Sequence, residues 1–106
     1  MLWTWANSGA TPTQDPGANV VLVTTVALAG GQHTFFIFIW AETSIAVDFQ
    51  LIDTNGTTIL KSQRSTMVAL QKAIFRFPVT KGQKVRLVNV DALTNVKVQA
   101  SINYGE

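Results

Sequence analysis

Residues 33–40 read HTFFIFIW, from His33 to Trp40, and no polar side chain interrupts them after Thr34. Successive side chains of an extended strand point to opposite faces, so a strand of this composition is apolar on both. One set, Phe35, Ile37 and Ile39, suits the core of a domain. The other, Phe36, Phe38 and Trp40, then needs a cover of its own. Burying three such side chains is worth on the order of 5 kcal/mol, and left open they form an adhesive patch. The sharper reading makes Phe36, Phe38 and Trp40 an oligomer interface. The plainer one makes 33–40 a central strand covered by neighbouring loops and by the chain's own N-terminal segment.

On its N-terminal side this stretch belongs to a longer run, Pro16 to Ala41, without Lys, Arg, Asp or Glu. A hydropathy window over it suggests a membrane span. Gly30-Gly31-Gln32-His33 sits in its middle, however, between β-branched runs of strand length, and two strands joined by a turn fit better than one helix.

Strand patterns continue downstream. Val20 to Leu28 reads as one strand and His33 to Trp40 as the next. Ala46 to Asp53 alternates, with Val47, Phe49 and Leu51 on one face and Asp48 and Gln50 on the other. It runs into Asp53-Thr54-Asn55-Gly56, where Asn-Gly signals a hairpin because both residues tolerate positive φ. Thr57 to Lys61 returns. In 73–79, Ala73, Phe75, Phe77 and Val79 face inward and Arg76 outward. The turn TKGQ leads into Val85 to Val90. The last strand sets Val98, Ala100 and Ile102 against Lys97, Gln99, Ser101 and Asn103. Only STMVALQK, residues 65–72, is open to two readings, a short helix capped by Ser65 or a further strand.

Short strands at this spacing imply an all-β fold, an antiparallel two-sheet sandwich of seven to eight strands. A jelly-roll-like topology is expected, with an immunoglobulin-like one as the alternative. The sandwich occupies residues 20–106. Residues 1–19 read as an extended N-terminal arm, because NSGATPTQDPGAN has no hydrophobic periodicity. The arm is led by MLWTW. Trp3 and Trp5 share parity and so one side of an extended segment, which makes Leu2, Trp3 and Trp5 candidates for docking on a neighbour; the alternative is that they plug one end of their own sandwich.

Composition narrows the functional classes. The chain of 106 residues has no cysteine, so neither disulfides nor thiolate metal sites stabilise it. Val, Ile and Thr make up 32 residues, while charged residues are only 13%; the surface is therefore built from uncharged polar groups. A net charge of +2 from scattered basic residues argues against a nucleic-acid partner, which needs them clustered. MLWTWANSGA lacks a basic n-region and does not read as a signal peptide.

Catalysis is not expected. His33 is the single histidine, no Ser or Asp pattern surrounds it, and beside a Gly-Gly turn it reads as an ordinary surface residue. There is no G-x-S-x-G elbow and no P-loop. Asp48 and Asp53 differ in parity and point to opposite faces, so they do not form an acid–base couple. DTNG resembles the opening of a calcium loop, but its glycine comes two residues early and the closing acid is absent; a hairpin turn explains it. Neither cofactor nor metal is expected. Two binding roles remain: an oligomeric structural protein, or a carbohydrate-binding β-sandwich module in which Trp40 or the arm indoles stack on sugar rings.

The arm MLWTWANSGATPTQDPGAN and the strand-turn-strand AIFRFPVTKGQKVRLVNV, in a short chain without cysteine, resemble the small all-β decoration (cement) proteins of tailed bacteriophage capsids. The likeness is one of architecture and composition across the whole chain. It implies a virion protein made in the host cytoplasm and carried on the capsid surface. It further implies a homotrimer whose partners are its own copies and the major capsid protein, which it clamps, with neither nucleic acid nor membrane bound.

Overall fold

The computed structural model describes residues 3–7, 13–14, 19–67, 71–91 and 97–105. Nine strands run in chain order: β1 (Trp3–Asn7), β2 (Thr13–Gln14), β3 (Val20–Thr24), β4 (Gly31–Ala41), β5 (Ile45–Ile52), β6 (Ile59–Met67), β7 (Gln71–Val79), β8 (Lys84–Asn89) and β9 (Lys97–Gly105). They form two antiparallel sheets. One has the order β1-β9-β4-β7, with the short β2 also on β9; the other is β3-β8-β5-β6. Interleaving of this kind, with most connections crossing between the sheets, is the jelly-roll arrangement. The immunoglobulin-like alternative is set aside.

The alternation read in the sequence places the core. Phe35, Ile37, Ile39 and Ala41 of β4 and Val98, Ala100 and Ile102 of β9 are fully buried, facing Ile45, Val47, Phe49 and Leu51 of β5 and Val85 and Leu87 of β8. Ala73, Phe75 and Phe77 of β7 pack against this cluster less completely. The open question over 65–72 is settled at both ends: residues 65–67 finish β6 and 71–72 begin β7, while 68–70 lie outside the described residues.

Three expectations change. The leader, read as an extended arm without periodic structure of its own, contains two strands. Residues 3–7 and 13–14 hold neither proline nor glycine, and they pair along the edge of β9, Trp3 opposite Gly105 and Thr13 opposite Val98. Backbone pairing at an edge removes a row of unsatisfied groups. The hairpin at 53–58 is wider than a two-residue turn. Gly56 has φ of 80°, Asn55 does not share its positive φ, and the Asn55 amide oxygen instead accepts the N–H groups of Thr57 and Thr58 at 2.9 Å each. His33, finally, is not on the surface. Because β4 starts at Gly31, His33 shares the core parity of Phe35; it is 2% exposed, its ring stacked on Phe35 at 5.8 Å and 14°. Its Nδ1 lies 3.1 Å from the Gly31 carbonyl oxygen.

The charge-free stretch divides between sheets, β3 in one and β4 in the other. Among the described residues, no helix is long and apolar enough to cross a membrane.

Candidate functional site: the outer face of the five-stranded sheet

Directly opposed residues of an antiparallel pair share a face, so register shows what each sheet turns outward. On the five-stranded sheet Phe36 is opposite Ile74 of β7 and Asn103 of β9, and Asn103 is in turn opposite Trp5 of β1. In the next row Phe38 is opposite Lys72 and Ser101, and Ser101 is opposite Asn7. Trp40 is opposite Gln99. An aromatic column, Phe36, Phe38 and Trp40, therefore runs down the middle of this face, beside the uncharged polar column Gln99, Ser101 and Asn103. Phe38 is 38% exposed and Ile74 56%, while Phe36 and Trp40 are half-buried.

The other outer face is different in kind. Arg64 of β6 is opposite Asp48 of β5 and donates to both carboxylate oxygens, from Nε at 2.9 Å and from Nη2 at 3.2 Å. That hydrogen bond, and then the charge of Asp48, holds the Arg64 guanidinium above its ordinary pKa. Arg86 of β8 donates from Nε to Gln50 Oε1 at 2.8 Å. The four-stranded sheet thus presents paired polar groups at its centre with exposed aliphatic side chains at its edges, Val21 of β3 and Ile59 of β6, whereas the five-stranded sheet presents rings and Ile74 beside Lys72 and Arg76.

The sequence-derived candidates fall as follows. Phe36, Phe38 and Trp40 are together on the outward face, and their neighbours Phe35, Ile37 and Ile39 are in the core. Trp3 and Trp5 hold register positions opposite Gly105 and Asn103, at the β1 edge of the same sheet. Leu2 lies outside the described residues. Ile74 was missed, although its parity, opposite to that of Phe75, marks it as outward. Among the described residues, no three His, Asp or Glu side chains gather into a group that could hold a metal.

A second feature lies on the open side of the sandwich, where β6 and β7 are the sheet edges. A cleft of about 320 Å³ there is floored by Phe49, Phe75 and Phe77 and walled by Lys61 and Gln63. Phe49 and Phe75 stack at 4.7 Å and 14°, and the Lys61 ammonium sits 5.0 Å from the centre of the Phe77 ring.

No protein-family model matches the chain, and no curated protein matches it. Solved structures do. The globular domain of zebrafish complement 1qA superposes with a TM-score of 0.67 at 10% identity, over 97% of this chain and 94% of that one. The C-terminal CBM6 of LamC from Zobellia galactanivorans gives 0.60 at 7% identity, over 99% and 100%. A structure of infectious bursal disease virus, Gx strain, gives 0.60 at 11% identity, covering 97% of this chain but 32% of that one. At such identities the likeness shows the fold: an antiparallel β-sandwich of jelly-roll type.

Proposed function

We propose that this chain is a structural protein of a virus particle, a capsid decoration or cement protein. Its copies associate as a homotrimer and stabilise the head by binding the major capsid protein. The observation that carries the reading is the aromatic column on the outer face of the five-stranded sheet, where Phe38 and Ile74 are exposed beside half-buried Phe36 and Trp40. A virus structure among the fold's relatives is compatible with this role.

Magnitudes favour a multivalent arrangement. Covering Phe38 and Ile74, and completing the cover of Phe36 and Trp40, contributes roughly 3–5 kcal/mol by area. Association costs an estimated 4–15 kcal/mol in lost freedom. A single such contact gives a weak pair. Several contacts held in a closed ring, or on a shell that already fixes its subunits, give a stable assembly. Binding the assembled shell and not its free pieces then stabilises the shell by mass action.

The test is the mass of the purified chain by light scattering across a range of concentrations, followed by co-sedimentation with assembled shells. A trimer that sediments with shells supports the reading. A chain that stays single and leaves shells bare overturns it.

A further inference from the structure

We infer that the cleft between β6 and β7 is a binding site for an acidic sugar ring, a pyranose bearing a carboxylate. It is separate from the outer face of the five-stranded sheet and does not depend on the assembly role.

Two polar residues of β6 stand in unexpected places. In register, Lys61 is opposite Leu51 and Gln63 opposite Phe49, so both occupy positions on the inner face of the four-stranded sheet. An inner face of a sandwich is normally apolar. Here β6 puts an ammonium and an amide on it, and along 59–66 every residue but Ser65 is exposed. The inner side of β6 at Lys61 and Gln63 is therefore the wall of an open cleft, and the core closes over that side only at Met67. The cleft's floor is aromatic, lined by the half-buried rings of Phe75 and Phe77 with Phe49 buried behind Phe75.

A floor of rings beside a polar wall suits a ligand with one apolar face and a polar rim. A pyranose has that shape, with C–H bonds on its flat side and hydroxyls around the edge. The volume, about 320 Å³, lies at the small end for ligand pockets, which span roughly 300–1,000 Å³. The cleft is open, which suits a solvated ring better than an acyl chain.

Charge chooses among sugars. Among the described residues the one salt bridge is Arg64 with Asp48, and none of their carboxylates pairs with Lys61. Its ammonium hangs over the Phe77 ring at the cleft. A cation there, beside the Gln63 amide, favours a carboxylate on the ring, because a charge-assisted hydrogen bond is the stronger kind.

The experiment is a titration of the full chain followed by amide NMR shifts, with glucuronate, glucose and benzoate as probes. The expected result is millimolar glucuronate binding that shifts residues 61–63 and 75–77, with glucose about fivefold or more weaker. The variant Lys61→Gln should remove that preference while leaving the spectrum of a folded protein. Three results overturn the inference: no glucuronate shifts, shifts confined to Trp40 and Gln99 on the outer face, or benzoate binding at least as tightly as glucuronate. Light scattering on the same sample reads self-association independently, so failure of one proposal is distinguishable from failure of the other.

Discussion

Phe36 and Ile74 stand directly opposite each other across the β4–β7 ladder, on the side of the five-stranded sheet turned from the core. Ile74 is more than half exposed, and Phe38, one step further along the same face, is exposed as well. If this face joins copies, the double variant Phe38→Ser with Ile74→Thr should reduce the light-scattering mass to that of one chain. Stability of the chain itself should change by no more than about 1 kcal/mol, because exposed positions carry little of the fold. An unchanged oligomer would remove this face from the contact.

Adjacent residues 37 and 38 should behave oppositely. Ile37 is fully buried and Phe38 is not. Ile37→Ala leaves a cavity in the core and should cost about 2–5 kcal/mol in denaturant unfolding. Phe38→Ala should cost about 1 kcal/mol or less under the same conditions. Equal losses would mean that the alternation of β4 is not the one described.

How far the sequence foretold this depends on the distance over which each feature is encoded. Period-two alternation writes the face of a residue locally, and so Phe35, Ile37 and Ile39 were assigned to the core and Phe36, Phe38 and Trp40 to the outside correctly. Strand order is not local. That β9 runs between β1 and β4, or β8 between β3 and β5, is decided by contacts far apart in the chain, and alternation is silent about it. His33 was misplaced by treating the Gly-Gly as part of the turn, when Gly31 already belongs to β4. The pairing of 13–14 is hidden in the sequence because Pro and Gly lie on either side of so short a strand. The cleft escaped notice for a different reason: Lys61 and Gln63 on an inner face look like ordinary surface residues until the register with Leu51 and Phe49 is known.

The leader offers a sharper test than its composition suggested. β1 and β2 lie along β9, while β4, β5, β8 and β9 supply a buried core of their own, Phe35, Ile37, Val47, Leu87 and Ile102 among it. Deleting residues 1–18 should leave a folded β-sandwich by circular dichroism, with a lower unfolding midpoint because the β9 edge loses its partners. Under the assembly reading the truncated chain should also lose trimerisation or shell attachment. A truncated chain that assembles normally would show that the leader serves only its own sheet.

Gly82 should prove the least replaceable residue of the TKGQ turn. Its φ is 92°, and a Cβ added there would stand 3.1 Å from Thr54 Cγ2, in the β5–β6 hairpin. The two turns are also tied by a hydrogen bond from Gln83 Nε2 to Asp53 Oδ1 at 3.4 Å, while the Gly82 N–H is donated to the carbonyl of Leu28, between β3 and β4, at 2.8 Å. Gly82→Ala therefore meets a strained backbone and a crowded neighbour together, and should cost about 1–3 kcal/mol. Gly56→Ala meets only the first, since nothing lies within 4 Å of its added Cβ, and should cost less, about 1 kcal/mol. Changing Thr54→Ser removes the crowding methyl, so Gly82→Ala measured in that background should lose part of its penalty. A double-mutant cycle reads the difference. If the penalty is the same with and without the Thr54 methyl, backbone strain alone explains Gly82, and the packing of the two turns against each other plays no part in it.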